Sequence, residues 1–202
     1  TGQVELWRDD IVGSLTQTAD EIHAAGSKVS IILWHGGHNV GHRGGAPAMA
    51  PSVVPSVQIG EIPRAMSVSD IKEIIPYYVA AAKRCADAGI DVLEVQTSSD
   101  YLLGSFLSPQ LNRRTDNYGG SVENRCRVVL EILEAIRAEL SSHTALGIRT
   151  SIYHAIPGEP DGYTIDHSLP AMQHIAASGL IDYLSLMGGS NANFAESVPP
   201  MT

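Results

Sequence analysis

Apolar and polar positions along the chain alternate between two periods. Ile11, Leu15, Ala19 and Ile22 recur at helical spacing over about residues 9–25, and Gly26 stands where a left-handed residue would end that helix. The run 29–33 is continuous and apolar, as in a buried strand. A second helix is predicted over about 70–88, with Ser67, Ser69 and Asp70 as N-cap candidates and Ile71, Ile74, Ile75, Tyr78, Val79, Ala82 and Ala86 on its inner face. Pro76 falls inside it. An interior proline costs about 3 kcal/mol, so a kink or a separate short helix is predicted there. Gly89 closes the segment, and Val92, Leu93 and Val95 begin another strand.

The next helical pattern, Val128, Val129, Ile132, Leu133 and Ile136, is capped by Ser121 and runs to about residue 140, with Glu123 near the positive end of its dipole. Residues 145–151 read as a strand with one internal charge, Arg149. A loop at Gly158, Pro160 and Gly162 precedes a helix over 166–177, and Gly179 caps it. The last strand, 181–186, ends in Met187, Gly188 and Gly189. Each helix is followed closely by an apolar strand, which implies a parallel sheet; a barrel and a doubly wound sheet both fit this pattern.

The stretch 91–137 organises the rest. Its strand and helix are separated by a polar loop long enough to be functional, and in a parallel barrel that loop lies at the carboxyl ends of the strands, where active sites are built. Gln96, Thr97, Ser98, Ser99, Asp100 and Tyr101 are therefore the first candidates for chemistry.

With 202 residues and 44% apolar content, the chain can bury one sizeable core. A net charge of −9 without a basic patch excludes a phosphate-backbone surface, so no nucleic-acid partner is expected. Cys85 and Cys126 sit in predicted helices and form neither a disulfide framework nor a thiolate cluster, which points to a reducing, cytoplasmic setting. No apolar run approaches a membrane span. The chain starts at Thr1 and stops in the Pro-rich stretch before Thr202, and we expect it to be a piece of a longer polypeptide.

Residues 101–125, YLLGSFLSPQLNRRTDNYGGSVENR, resemble the signature of the old yellow enzyme family of FMN-dependent oxidoreductases, which includes ene-reductases, dienoyl-CoA reductases and amine dehydrogenases of the trimethylamine dehydrogenase type. Trp34, His35, Gly36 and Gly37 extend the likeness: many members carry Trp-His-x-Gly followed by Arg, and His38 stands at the Arg place. The resemblance implies a partial TIM (β/α)8 barrel holding strands three to six with their helices. Residues 1–202 would then be the central part of one FMN-binding barrel domain, with the flanking strands absent. The implied cofactor is FMN, with NADH or NADPH as electron donor and a small-molecule substrate. Iron–sulfur clusters of larger members lie beyond the barrel, and the family's phosphate-binding loops follow the seventh and eighth strands. A barrel sector has two open edges, which the missing strands or a partner chain must cover.

By resemblance Tyr101 is the catalytic proton donor, while Gln96 and Ser99 contact substrate where ene-reductases carry His followed by His or Asn. Neither can carry an imidazolium charge. Arg149 is the cofactor-binding candidate: buried in a strand it requires an anionic or carbonyl partner, and by resemblance it sits at the flavin pyrimidine edge, where positive charge favours the reduced, anionic form. Trp34, His35 and Gln96 complete the cofactor-contacting set. Ile32 stands where many relatives carry a flavin-bonding Gln. Arg113, Arg114, Asp116, Tyr118, Gly119 and Gly120 are expected to pin the loop rather than to catalyse.

Plainer readings stand beside these. Tyr101 could pack beneath the loop, Arg149 could pair with Glu94, and His23, His143, His154, His167 and His174 need only be solvated. His35, His38 and His42 offer a metal-dependent barrel hydrolase as a weaker alternative. A catalytically silent, truncated barrel acting as an interaction segment is the other.

Overall fold

A computed structural model describes residues 4–39, 47–56, 60–98, 100–141, 143–156 and 159–188. Helix α1 (Ile11–Ala24) leads into strand β1 (Ser30–Leu33) and a 3-10 turn at Gly37–Asn39. Two short strands, β2 (Met49–Ala50) and β3 (Arg64–Ala65), pair in parallel ahead of α2 (Val68–Asp87). Then come β4 (Val92–Thr97), α3 (Leu102–Leu107), α4 (Val122–Glu139), β5 (Ala145–Ile156), β6 (Glu159–Tyr163), α5 (Ile165–Ala177) and β7 (Tyr183–Gly188).

The main sheet runs β1, β4, β5, β7, all parallel, and β6 folds back antiparallel on the far end of β5. Residues of one register row share a face, because side chains alternate along every strand. Leu33, Val95, Ile148 and Leu184 form a row facing the helices. Ile32, Glu94, Gly147 and Tyr183 form a row on the opposite, inner face, with Gln96, Arg149 and Ser185 in the row beyond it. The helical layer buries Ile71, Ile74, Tyr78, Ala82 and Cys85 from α2 and Val128, Val129, Ile132, Leu133 and Ile136 from α4. Together with Leu93, Val95, Leu146 and Ile148 these make one core. Leu184 and Leu186, on the outer face of β7, are 36% and 55% exposed, so the described helices leave that edge uncovered.

Several elements depart from the sequence reading. Helix α2 is uninterrupted through Pro76. Pro76 lies on the exposed face with Lys72 and Glu73, so the carbonyl it leaves unpaired can be hydrated while the buried stripe continues past it. Ser67 caps that helix reciprocally: its hydroxyl accepts from the Asp70 N–H at 3.1 Å and its N–H donates to Asp70 Oδ2 at 2.6 Å. Strand β5 extends beyond residue 151, and part of the expected loop after it is β6. The stretch after β4 is not wholly loop: α3 forms inside it with every residue buried.

His23, expected at the surface, is structural. Its Nε2 lies 2.6 Å from Asp91 Oδ2, while Lys28 Nζ (2.7 Å) and the Val29 N–H (3.0 Å) donate to the same carboxylate. His167 is engaged as well, its Nδ1 accepting from the Thr164 N–H at 3.2 Å. The donors from Lys28, Val29 and His23 hold the Asp91 carboxyl well below the usual carboxylate range. A depressed folded value means that Asp91 stabilises at neutral pH and that this contribution is lost as the pH falls through the folded value. Asp91→Asn should therefore cost about 1 kcal/mol at pH 7 and flatten the acid limb of stability, read from urea midpoints at pH 7 and below pH 4.

Candidate active site

The inner face of the sheet is polar where the outer face is apolar. Gln96, one residue from the carboxyl end of β4, is the direct register partner of Arg149 on β5. Its Oε1 accepts from the Ser98 hydroxyl at 2.9 Å, which orients the amide and leaves its NH2 to donate. Among the described residues the charged neighbour of Arg149 is Glu94, with Nη1 3.9 Å from Oε2. The ion-pair reading is thus present, but at a length beyond hydrogen bonding. The Arg149 side chain is 39% exposed and that of Glu94 11%, so the guanidinium side of the pair is the more accessible one.

Below this row Tyr183 lies across Gly147. A Cβ at Gly147 would come within 2.5 Å of the Tyr183 ring, so only glycine lets the ring cross there. Burial, then the nearby Glu94 carboxylate, push the Tyr183 hydroxyl up to about 12. Tyr183 was not singled out from sequence; its place against Glu94 depends on strand register, which no single segment displays.

At the carboxyl ends of β1 and β4 two loops meet. The Trp34 and Tyr101 rings make an edge-to-face contact at 5.2 Å and 88°. The Leu102 N–H donates to the His35 carbonyl at 3.1 Å. Gly37, at φ +60°, approaches the Leu102 backbone so closely that a Cβ would sit 2.9 Å from Leu102 Cα and N. His35 Nδ1 accepts from the Gly37 N–H at 3.1 Å, and burial lowers the ring's pKa, so His35 is neutral with its proton on Nε2. Ile32 is 38% exposed on the inner face.

The structure thus joins Gln96 to Arg149 and Trp34, His35 and Tyr101 to one another, all at the carboxyl end of the sheet. Ser99 and His42 lie outside the described residues. Among the described residues no group of three His, Cys, Asp or Glu side chains converges on a metal position, and His35 Nδ1 is already engaged. Arg114 pins the signature loop: Nε donates to Asp116 Oδ1 at 3.0 Å and Nη1 to the carbonyls of Pro51 and Met66 at 3.0 and 2.5 Å. No helix among the described residues is long and apolar enough to cross a membrane.

Parallel strands covered by helices on one face, with polar groups gathered at their carboxyl ends on the other, define a sector of a TIM (β/α)8 barrel. The chain belongs to the NADH:flavin oxidoreductase / NADH oxidase family, which it matches over residues 1–187. It is 33% identical to an NADPH dehydrogenase of Geobacillus sp., over 92% of this chain and 52% of the relative. Among solved structures it resembles a 2-naphthoyl-CoA reductase complexed with 2-naphthoyl-CoA (TM-score 0.84, 29% identity, 95% of this chain and 31% of that one). It also resembles histamine dehydrogenase from Rhizobium sp. (TM-score 0.81, 28% identity, 92% of this chain and 27% of that one). The chain spans between 27% and 52% of the length of the curated relatives compared.

Gly37→Ala should separate the two loops. A left-handed backbone and a blocked approach together should cost about 2 kcal/mol and shift the near-ultraviolet circular dichroism that reports the Trp34–Tyr101 contact.

Proposed function

We propose that these residues form the central sector of an FMN-dependent oxidoreductase that reduces an activated alkene, with NADH or NADPH as electron donor. The observation that carries this reading is the row Gln96–Arg149 on the inner face, where, among the described residues, a partly exposed guanidinium has the Glu94 carboxylate beside it at 3.9 Å. A planar ligand offering carbonyl or anionic edges fits such a row, because Arg donates in a fixed fork and Gln donates through its amide. Arg149, Gln96, Trp34 and His35 would hold the flavin ring, and exposed Ile32 offers it apolar contact in place of a hydrogen bond. When bound, FMN supplies hydride chemistry.

The chain's own groups supply the rest. Gln96, with Ser99, hydrogen-bonds the substrate carbonyl through neutral donors. Tyr101 gives the proton of its hydroxyl to the carbon adjacent to the one that receives hydride, and is reprotonated from solvent. Arg149 would set a fixed positive charge beside bound FMN, which would favour the reduced form. The missing strands of the barrel, from the same polypeptide or a partner chain, would cover β1 and β7 and bring the phosphate-binding loops. The free thiols Cys85 and Cys126 are buried, which suits a reducing, cytoplasmic setting.

Amine oxidation is the second reading, favoured by the uncharged amide at Gln96 in place of an imidazole. Assaying cyclohexenone reduction and amine-dependent dye reduction in the intact polypeptide separates the two. Arg149→Leu should lower the flavin reduction potential or empty the site; unchanged potential and occupancy would remove Arg149 from the cofactor set. Tyr101→Phe should slow enone turnover about 100-fold or more, and unaltered turnover would exclude Tyr101 as the proton donor.

A further inference from the structure

The turn at Gly37–Asn39 carries His38, which is 2% exposed, and neither of its ring nitrogens has a hydrogen-bond partner among the described residues. Facing it is Asp100, 6% exposed, whose Oδ1 also lacks a partner. His38 Nε2 lies 3.7 Å from Asp100 Oδ2, within ion-pair reach and longer than a hydrogen bond by about 1 Å. A buried polar atom without a hydrogen bond is destabilising, so three of them in one contact require an explanation.

Their location supplies one. Asp100 immediately precedes Tyr101, and its carbonyl is held by Asn39 Nδ2 at 3.3 Å and by the Ser105 hydroxyl at 3.0 Å. Asn39 Oδ1 in turn accepts from the Ser56 hydroxyl at 2.6 Å. His38 follows Gly37, whose backbone presses on Leu102. We infer that His38 and Asp100 form a positioning pair that clamps the loop after β1 to the loop after β4 and so holds the Tyr101 ring on Trp34. Burial works to raise the Asp100 carboxyl, but contacts from His38 and Asn39 outweigh it and leave the group below its ordinary value. Asp100 therefore stays ionised at neutral pH, and the His38 ring is the group placed against it.

A purely packing role for His38 would make it replaceable by an apolar side chain of similar size. A pairing role makes the consequences of changing His38 and Asp100 depend on each other. These 202 residues hold two tryptophans, Trp7 and Trp34, and the Trp34 component of the intact polypeptide's emission is the part that Trp34→Phe removes. In the intact polypeptide, Asp100→Asn and His38→Leu should each shift that Trp34 component. Each should also lower kcat for cyclohexenone about 10-fold or more with KM within twofold. The double variant should be no worse than the poorer single one. Unchanged Trp34 emission in both single variants, or losses that multiply in the double variant, would overturn the pair. Asp100→Asn preserves size, so it keeps the test decisive if His38→Leu fails to fold. The kinetic arm rests on the proposed role of Tyr101 and the emission arm does not. Shifted emission with unaltered turnover would therefore uphold the clamp and remove Tyr101 from catalysis.

Discussion

Leu93 and Val95 can be buried against the helices only if Glu94 and Gln96 face the other way. The period of a strand is two, so a slip of one residue would put a carboxylate and an amide into the apolar layer and expose two fully buried side chains. Each fully buried Leu or Val contributes about 1.5–3 kcal/mol from burial, and an unpaired buried carboxylate costs more than either gains. Register is thereby strongly specified, and it settles which side chains share the inner face. Once β4 is aligned with β1 and β5, Gln96 must face the same way as Arg149, and Glu94 must lie beside Gly147, where the Tyr183 ring can cross. Asp91 reinforces the alignment by joining the end of α1, the start of β1 and the start of β4 through one carboxylate.

On that frame the two loops at the carboxyl end are fastened by backbone as well as by side chains. The Leu102–His35 hydrogen bond and the close approach of Gly37 fix their separation, and the buried first turn of α3 gives Tyr101 a rigid base. The signature loop beyond is held from outside by Arg114 and from within by Asn112, whose Nδ2 donates to the carbonyls of Phe106 and Tyr118 at 2.7 and 2.8 Å. A long segment tied at so many backbone carbonyls behaves as part of the scaffold and keeps a strand-end residue such as Tyr101 in one place.

The longer elements were legible in the sequence because one face of each is apolar at a single period: α1, α2, α4, β4 and the first half of β5 follow from spacing and caps alone. Pro76 was misread because propensity was applied without knowing which face met water. Helix α3 was missed because Leu102, Leu103, Phe106 and Leu107 are apolar all round rather than on one stripe, the pattern of a wholly buried turn, and six residues are too few to establish a period. The β2–β3 pair has two residues a strand and leaves no periodic signal. In the candidate site, Arg149 was visible as a charge within an apolar run, Tyr101 through a local likeness, and Gln96 through its place at a strand end where relatives carry His. The contacts of Tyr183, of Asp91 with His23, and of His38 with Asp100 join residues far apart in sequence, and no local pattern encodes them.

The weight of the Glu94–Arg149 contact bears on what the inner face can bind. A pair at 3.9 Å with one member well over a third exposed is worth about 1 kcal/mol or less. A ligand oxygen accepting a direct bond from the guanidinium gains about 1.5–3 kcal/mol, as hydrogen bonds to charged groups do. At the proposed site a ligand oxygen would therefore outcompete Glu94 without displacing it. Glu94 spares Arg149 an unpaired charge before binding, and it stays close enough to temper the field that Arg149 presents afterwards. It also sits within reach of the Tyr183 hydroxyl, which can donate to the carboxylate and hold it in place. The result is a guanidinium that is oriented but not consumed, as a site for a planar ligand with carbonyl edges requires.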